Sequence, residues 1–513
     1  MMAIRILRTE ENCNQYELAT LPNINRCAPY AYIQLSNAVV EEIESNSSSD
    51  NYSITVVERL KEEMWQQLGL AGPMVMVNVM EYLTPLLALI FVGHMGEMEF
   101  AGAALATSMA TSLGYILLVG MATAMETLCG QAYGAQEYHM LGIFLQQGLI
   151  TLLGACVPLS IIFVNMGYIL RLFKQDPQIC EAAGKYTWGL LPGLFAYATL
   201  QPLGRFLQMQ SIAWPEVWSS AITVVLHIFT CWLTIYKMQL GFVGAAVSTS
   251  VSLWANVGIL LLYIKLSGVC KNTWQGFSKH CIHGIKHFLK LSLASSLMIC
   301  LDYWCFSILA LLAGMLPDPQ REISALSICM NITSLYYMVP MGIGLAVSLR
   351  VSNEIGAGRT GAVRLSILVA LGITLVQAIF VSVTLFSLRN ILGRVFSNKK
   401  DVIGDVSRII PILSVAAILD GLQAVLSGVA SGCGWQNLGA YASVFALYFV
   451  GLPSGIVLAL FFHMRGKGLW IGITGGMLLQ TLMLLLITIF TSLKKTSTEA
   501  KERLKIIQRE SPM

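Results

Sequence analysis

The sequence predicts an all-α membrane protein with twelve transmembrane helices arranged as two parallel six-helix repeats. Three observations support this fold class. The 513 residues are 56% hydrophobic and only 12% charged, with a mean hydropathy of +0.67, which is more apolar than a soluble domain requires. Apolar runs of about 20 residues, the length that crosses a bilayer, recur along the chain. The first half of the sequence also resembles the second half.

The chain begins with a polar stretch that predicts a cytoplasmic N-terminal tail over residues 1–62. This stretch contains the Ser/Asn-rich patch SNSSSDNYS, which is typical of a flexible segment. It has no continuous apolar segment followed by small residues, so we expect no signal peptide. Asn46 and Asn51 begin Asn-x-Ser sequons, which would stay unmodified on the cytoplasmic side.

Twelve apolar runs then predict twelve helices in two groups of six. The groups form an N-lobe over residues 63–265 and a C-lobe over residues 289–493, joined by a basic cytoplasmic connection over 266–288. A cytoplasmic C-terminal tail follows over 494–513. The expected spans are 68–93, 101–125, 141–164, 186–208, 217–236, 241–265, 289–314, 324–347, 364–387, 407–430, 438–463 and 469–492.

The orientation follows from the positive-inside rule. An even number of helices returns both termini to the same side of the membrane. The connections on that side carry 17 Lys and Arg residues against 12 on the other side. The excess favours cytoplasmic termini.

An internal repeat relates the two groups of helices. The segment LAGPMVMVNVMEYLTPLLALIFVG aligns with the run that ends LDYWCFSILALLAG, which places Glu81 on Asp302. GMATAMETLCGQAYGA aligns with GIGLAVSLRVSNEIGA, which places Gly134 on Gly356. Both alignments need an offset of about 221 to 222 residues. Because each repeat holds six helices, both point the same way, and a substrate cleft is expected between them.

Two acids within apolar runs of the C-lobe predict a proton or cation site. Asp302 lies in the run 289–314 and Asp420 in the run 407–430. Charged side chains at bilayer depth are costly and usually face a partner or a water-filled cavity. Burial also disfavours the charged form of a carboxylate. The alternative is that each acid makes only structural hydrogen bonds.

Glu81 is a third acid at bilayer depth, in the first predicted helix. It is the counterpart of Asp302 in the repeat and is expected either to bind a second proton or to bind a cationic substrate. Alternatively, it belongs to a polar network with Asn78 and Tyr82. Glu126 and Glu354 lie where apolar runs give way to loops, and there we favour loop hydrogen bonds or gate contacts.

Polar and aromatic residues inside the predicted helices are candidates for the walls of the cleft. Aromatic faces suit planar organic molecules, although packing is the better explanation for each of these residues taken alone. The cleft candidates are Asn78, Tyr303, Trp304, Asn331, Tyr337 and Gln423.

Several classes of function are disfavoured. No GxxxxGK[ST] loop is present, so active transport would have to use an ion gradient rather than a nucleotide. No basic block is interleaved with aromatic residues, so no nucleic-acid partner is expected. The twelve cysteines form no CxxC pairs and are expected to be reduced, buried hydrophobes. His280, Cys281, His283 and His287 suggest a metal only weakly because no fourth ligand repeats at finger-like spacing, and we expect no cofactor.

Several motifs together resemble the plant multidrug and toxic compound extrusion (MATE) transporters, also called the DETOXIFICATION family. They extend from Trp65 to Phe490 and comprise AGPMVMVN, FVGHMGE, METLCGQAYGA, LLPGLFAYATLQPLGRFLQMQ, RVSNEIGAGR, LDGLQAVLSGVASGCGWQNLGAY and GKGLWIGI. The resemblance implies two six-helix lobes around a V-shaped cleft and proton-coupled efflux of organic compounds. It also implies that the acids of helices seven and ten, here Asp302 and Asp420, are central to coupling.

The chain departs from the family pattern at three positions. Asp302 stands where Glu is common, Ser307 where many relatives have a further Glu, and Glu81 where relatives often have Gln. These differences suggest that charge has been redistributed between the lobes.

We therefore expect a secondary active antiporter, not an enzyme, that exports xenobiotics or secondary metabolites in exchange for protons. It would act as a monomer in the plasma membrane or the vacuolar membrane. One alternative is a citrate-type organic-acid exporter, for which Arg205 and Arg408 are only remote candidate ligands. The others are a passive channel and a membrane-embedded enzyme, and the lone His227 gives no catalytic pair for an enzyme.

Overall fold

The computed structural model describes residues 49–173, 175–282, 284–396 and 399–510, and all regular secondary structure in these ranges is helical. Residues 1–48, with Asn46 and most of the predicted N-terminal tail, lie outside the described residues, as does His283. Twelve long helices occur in the described ranges: α1 Ser49–Gly93, α2 Glu97–Gly134, α3 Tyr138–Val164, α4 Pro177–Gln208, α5 Trp214–Lys237, α6 Phe242–Ser267, α7 Ile285–Ala313, α8 Pro319–Ala357, α9 Thr360–Phe396, α10 Lys400–Cys433, α11 Gln436–Leu460 and α12 Arg465–Phe490. A further helix, α13 Leu493–Glu510, follows.

The helices confirm the predicted all-α membrane architecture. Eleven of the twelve long helices are apolar enough to cross a membrane. The remaining one, α4, has 32 residues, which is sufficient length, but it contains polar residues such as Gln201 and Arg205. Together these twelve helices match the predicted number.

Some helices extend well beyond the predicted apolar spans. α1 begins at Ser49 rather than near residue 68, and α8 continues to Ala357 rather than ending near residue 347. The additional turns carry charged residues that pair across helices. Glu63 of α1 contacts Arg350 of α8 at 2.6 Å, so the helical backbone continues where hydropathy alone predicts its end.

Local sequence signals fix several helix ends. The Asp176 carboxylate accepts a hydrogen bond from the Gln178 backbone N–H at 2.8 Å, and Pro177 occupies the first turn of α4. This is a favourable start for a helix. α8 and α10 are followed by Gly358 and Gly434, with φ of 83° and 84°. Glycine adopts this left-handed conformation without strain, which ends each helix in a tight turn.

The two groups of six helices interlock in a reciprocal way. We call the side with the turns at 135–137, 209–213 and 434–435 the terminal face, and the other side the opposite face. α1 packs against α8. In the repeat, α7 is the counterpart of α1 and α2 is the counterpart of α8, and α7 likewise packs against α2. α2 and α8, themselves counterparts, pack directly on each other. This pattern is the one expected for parallel repeats related by an axis along the membrane normal.

Glycine contacts confirm the pseudo-twofold axis. A Cβ added at Gly134 would collide with the backbone of Asn353, and a Cβ added at Gly356 would collide with the backbone of Gln131. Gly134 and Gly356 are 222 residues apart, and so are Gln131 and Asn353. Each contact in one half is therefore repeated by its counterpart in the other half.

Two further residue pairs lie on the axis itself. The Ser348 hydroxyl donates to Glu126 Oε2 at 2.7 Å, and these residues are 222 positions apart. One turn further along, Gly130 faces Ser352 at the same sequence separation. Only residues at a twofold axis contact their own counterparts, so the axis runs between α2 and α8.

The largest buried apolar cluster lies toward the terminal face and contains residues of both halves, among them Met125, Phe206 and Val351. The amphipathic helix α13 covers this end and buries Leu504 and Ile507 in the same cluster. Large apolar side chains on the outside of the helices are exposed, as expected for surfaces that face lipid.

Candidate functional site

Asp302 lies near the middle of α7 and is held by two glutamines. Gln423 of α10 donates its amide N–H to Asp302 Oδ2 at 2.8 Å, and Gln480 of α12 donates to Oδ1 at 2.9 Å. Both carboxylate oxygens therefore accept hydrogen bonds from side chains of other helices. Buried polar groups of this kind are normally paired, because an unpaired one is costly.

The same amides connect Asp302 to further helices. Gln480 Nε2 also lies 2.9 Å from the Ser443 hydroxyl of α11, and Gln423 Nε2 lies 3.3 Å from the Ser427 hydroxyl. The Tyr448 hydroxyl of α11 donates to the backbone carbonyl of Leu301 at 2.9 Å. Four helices, α7, α10, α11 and α12, thus converge on one carboxylate.

Asp420 is the second acid of this site and is only 5% exposed. Tyr336 of α8 hydrogen-bonds to it, whereas its Oδ2 atom has no hydrogen-bond partner. Asp420 and Asp302 are close enough to interact electrostatically, and Tyr337 lies near both. The structure therefore brings Asp302, Asp420, Tyr337 and Gln423 together.

Tyr303 and Trp304 lie on α7 between the two halves. The Trp304 indole donates to the Ser112 backbone carbonyl of α2 at 2.9 Å, and Tyr303 also interacts with Ser112. Asn331 is different, because it is exposed and its amide donates to the Ser327 carbonyl of its own helix at 2.9 Å. These contacts do not connect Asn331 to the two acids.

Glu81 has a similar partner in the first half. Gln201 of α4 donates to Glu81 Oε1 at 3.4 Å. Gln201 precedes Gln423 by 222 residues, so the repeat contains a glutamine–carboxylate pair in each half. Asn78, three residues before Glu81 in the sequence, is also buried, but its amide nitrogen has no hydrogen-bond partner.

A cluster of charged residues lies between Glu81 and the terminal face. Arg205 is 5% exposed and donates to Gln208 at 2.8 Å, and Gln208 in turn donates to Glu216 at 2.7 Å. Arg205 Nε also lies 3.5 Å from Glu126 Oε1. Arg205 lies inside the predicted span 186–208, and buried acids on α2 and α5 compensate its charge there.

A second set of contacts joins the halves at the terminal face. The Glu63 carboxylate pairs with Arg350 at 2.6 Å and accepts a hydrogen bond from the Ser366 hydroxyl at 2.6 Å. Arg350 also lies 3.5 Å from Glu354, which pairs with Arg359 at 2.6 Å. Glu354 thus stabilises the end of α8, and Glu63 ties α1 to α8 and α9.

Sequence reasoning missed Gln480, Ser443, Gln201 and Glu216. The repeat offset contained enough information to find Gln201, since Gln423 was already a candidate. Gln480 also carried a signal, a single amide within an otherwise apolar helix. Glu216 gave none, because an acid in the first turn after Trp-Pro is explained by the helix dipole.

Other polar groups form local contacts. His227 Nδ1 lies 3.0 Å from the Ser252 hydroxyl, and its other ring nitrogen lies 3.5 Å from Cys231 Sγ. Ten cysteines in the described part of the chain are buried and unpaired. No group of three or more His, Cys, Asp or Glu side chains there is arranged to hold a metal ion.

Comparisons with known proteins cover most of the chain. Residues 73–233 and 294–457 match the family model described as MatE. This chain is 43% identical to Protein DETOXIFICATION 16 and 44% identical to Protein DETOXIFICATION 17, both of Arabidopsis thaliana. These matches cover 87% and 88% of this chain and 92% and 94% of the relatives.

Solved structures of MATE transporters also match this chain. The crystal structure of the eukaryotic MATE transporter AtDTX14 superimposes with a TM-score of 0.84 and 41% identity, covering 87% of this chain and 99% of that one. The outward-facing structure of a multidrug resistance MATE family transporter superimposes with a TM-score of 0.74 at 17% identity, covering 87% and 97%. The second match shows a shared fold.

Proposed function

The chain belongs to the MATE family of multi-pass membrane transporters, which are not enzymes, and from this premise we propose that it is an antiporter exporting small organic compounds in exchange for protons. The observation that carries this proposal is the pair of acids Asp302 and Asp420, which approach each other between membrane helices. Like charges repel strongly in a medium of low dielectric constant. Proton binding at such a pair relieves the repulsion and changes the contacts between helices.

The proposed cycle uses this pair as the coupling site. Protonation of Asp302 or Asp420 from the acidic side rearranges α7 and α10 and favours release of the substrate. Loss of the proton to the cytosol restores substrate binding. Glu81, with its matching glutamine Gln201, is proposed as a further proton site in the first half. The lobes 63–265 and 289–493 are proposed to move relative to each other.

Contacts of the cleft candidates support an aromatic or cationic substrate. Tyr337 lies near both acids, and Tyr303 and Trp304 lie on α7 between the two halves; aromatic faces attract planar molecules and cations. An organic anion such as citrate would need basic partners. Arg205 is engaged by buried acids, and Arg408 is exposed and 3.9 Å from Asp405. We therefore propose xenobiotics or secondary metabolites rather than citrate.

The cellular setting is proposed on the same basis. The excess of Lys and Arg on the terminal side supports cytoplasmic termini, and export from the cytosol is then directed across the plasma membrane or the vacuolar membrane. The substrate cleft is proposed to lie between two halves of one chain, which supports a monomeric transporter.

The proposal is tested with purified protein in lipid vesicles under an imposed pH gradient. Substrates are a panel of aromatic cations, neutral aromatic compounds and citrate. We expect proton-driven uphill movement of the aromatic compounds, lost in Asp420→Asn. The matched control is Asp401→Asn, which changes an exposed acid of the same helix.

Three outcomes would contradict parts of the proposal. Wild-type exchange and unchanged pH dependence in Asp420→Asn would remove Asp420 from coupling. Transport of citrate alone would identify an organic-acid exporter. Flux that only follows the substrate gradient, whatever the pH gradient, would identify a passive channel.

A further inference from the structure

The two acids of the coupling site have different hydrogen-bond environments. An amide –NH2 group only donates, and an ionised carboxylate only accepts. Asp302 receives amide N–H groups on both oxygens, from Gln423 at 2.8 Å and from Gln480 at 2.9 Å. A proton on either oxygen of Asp302 would make that oxygen a poorer acceptor and weaken its hydrogen bond to an amide N–H. The hydrogen bonds at Asp302 therefore favour the carboxylate over the carboxylic acid.

The amide orientation is itself fixed by second contacts. Gln480 Nε2 reaches Ser443 at 2.9 Å, and Gln423 Nε2 reaches Ser427 at 3.3 Å. Each nitrogen carries two hydrogens, so one N–H is directed to Asp302 and the other to a hydroxyl. Ser443 is buried and Gln480 is 2% exposed, which leaves little room for either group to be replaced by water.

Asp420 has no such constraint. Its Oδ2 atom is buried and has no hydrogen-bond partner, so a proton can be added there without breaking a contact. The titratable groups that interact with the pair are Tyr336 and Tyr337 of α8, Cys305 of α7 and Tyr448 of α11. None of these carries a positive charge that would compensate the ionised form of both acids.

Resting on the proposed proton coupling, we propose that Gln423 and Gln480 are positioning residues that hold Asp302 as a permanent carboxylate, so that of the two acids of this pair only Asp420 binds and releases a transported proton. In this step a proton adds to Oδ2 of the Asp420 carboxylate and forms a neutral carboxylic acid. The same O–H bond breaks when the proton leaves on the other side. The pair then changes between two negative charges and one, and exchanges one proton per cycle.

The assignment also explains why amides from two helices are needed. Gln423 lies on α10, the helix that carries Asp420, whereas Gln480 lies on α12 and contacts α11 through Ser443. A fixed anion on α7 keeps these helices together through the cycle. The contact between α7 and α10 then weakens or strengthens only with the proton on Asp420.

The experiment is infrared difference spectroscopy of the purified full-length protein during acidification. Protonated carboxyl groups give a C=O band that carboxylates do not. We expect Asp420→Asn to remove one acid-induced component and Asp302→Asn to remove none. Removal of a component by Asp302→Asn, whether or not Asp420→Asn also removes one, would overturn the proposal, and so would loss of no component in Asp420→Asn.

The glutamines are tested in the same spectra. Gln480→Leu removes one of the two amide donors to Asp302, which favours protonation of Asp302. We expect an increase of about twofold in the part of the carboxyl C=O band area that comes from Asp302 and Asp420, because two acids instead of one then bind a proton. The gain should disappear in the double variant with Asp302→Asn and be smaller in Gln480→Asn, which retains an amide.

Gln146→Leu is the matched control, since Gln146 is also buried and makes two hydrogen bonds, to Gly276 and Ser278. An unchanged spectrum in Gln480→Leu, or an equal change in Gln146→Leu, would overturn the positioning role. The spectra require no transport, so the assignment of the proton is decided even if the vesicle experiment shows that the proposed antiport is wrong.

Discussion

Arg205 carries the only positive charge in a buried group that contains three acids. Glu126 lies 3.5 Å from it, Glu216 is reached through Gln208, and Glu81 interacts with both Arg205 and Glu216. A buried ion pair is expensive to break, because the remaining charge loses its partner without regaining water. The integrity of the first half therefore depends on one guanidinium.

Replacement of Arg205 by Leu should destabilise the protein by about 3–5 kcal/mol, the cost of leaving a buried charge unpaired. Arg408→Leu removes an exposed arginine 3.9 Å from Asp405 and should cost about 1 kcal/mol or less. The free energy of unfolding in mixed detergent micelles measures both. Equal losses in the two variants would show that the Arg205 cluster contributes no more than a surface pair.

The sequence was sufficient to single out the acids of the candidate site but not their partners. Asp302 and Asp420 stand out because a carboxylate within an apolar run is costly, so its presence demands an explanation. Gln480 and Ser443 are less conspicuous, since amides and hydroxyls are tolerated inside membrane helices when they bond to a neighbour. Which helix supplies that neighbour depends on packing, which a single helix does not reveal.

At the scale of elements, the close crossing of α2 and α8 depends on the absence of side chains. Gly134 and Gly356 each lie against the backbone of the other helix. Small residues allow membrane helices to approach closely and gain van der Waals contacts along their length. The repeat predicted that these glycines are counterparts, and the structure shows that they meet at one interface.

Gly134→Ala and Gly356→Ala should each destabilise the protein by about 1–3 kcal/mol, because the added methyl overlaps the opposing backbone. Gly154→Ala is the matched control, since a Cβ at this helical glycine meets nothing within 4 Å. It should be neutral or stabilising by up to about 1 kcal/mol, from helix propensity alone. Unfolding in mixed micelles separates these results, and equal behaviour of all three variants would contradict the close crossing.

α13 is an element that hydropathy assigned to a polar tail. Every third or fourth residue is buried, including Leu504 and Ile507, and the Ser497 hydroxyl donates to the Ile355 carbonyl at 2.9 Å. Arg503 donates to Gln131 of α2 at 3.3 Å, and burial lowers the pKa of its guanidinium. Hydropathy predicts only a tail over 494–513 because the apolar stripe of α13 is too narrow to raise the mean hydropathy.

Leu504→Asp should detach α13, because it places a charge in the apolar cluster beneath the helix. Backbone amides of α13 should then exchange with deuterium faster, together with those near Ile355. Lys505→Asp changes the exposed neighbour and should leave exchange near the wild-type rate. Slow exchange of α13 in Leu504→Asp would show that the helix is held by other contacts.

At the scale of the whole molecule, the contacts between the halves concentrate toward the terminal face. They run from the Trp304–Ser112 hydrogen bond, past Glu126 and Ser348, to the ion pair of Glu63 with Arg350. A transporter that alternates between two openings must break such contacts to expose its cleft on that side. Under the proposed movement of the two lobes, the strength of these contacts sets how often the terminal face opens.

Glu63→Gln should increase opening at the terminal face, because it removes the charge that pairs with Arg350. Buried Cys129 and Cys433 lie in the cluster beneath this face and serve as native reporters for a water-soluble thiol reagent. Weakening closure by about 1 kcal/mol should raise their labelling rates about fivefold. Mass spectrometry measures labelling at each cysteine.

Two controls accompany this measurement. Glu62→Gln changes the exposed neighbouring acid and should leave labelling unchanged. Cys156 is buried in a cluster formed by the first half alone and should label at the same rate in all variants. A uniform increase at all three cysteines would indicate general loosening of the protein rather than opening of one face.

The contact between Glu126 and Ser348 bears on how a duplicated chain can diverge. A residue on a twofold axis meets its own copy, so two identical halves would oppose either two Glu side chains or two Ser side chains there. Two buried carboxylates at this distance could not both remain ionised, and two hydroxyls would leave Arg205 without its nearest anion. A single chain with two repeats can therefore hold one charged residue on the axis, because its halves differ at this position. A symmetric dimer of identical subunits would have the same residue from both subunits there.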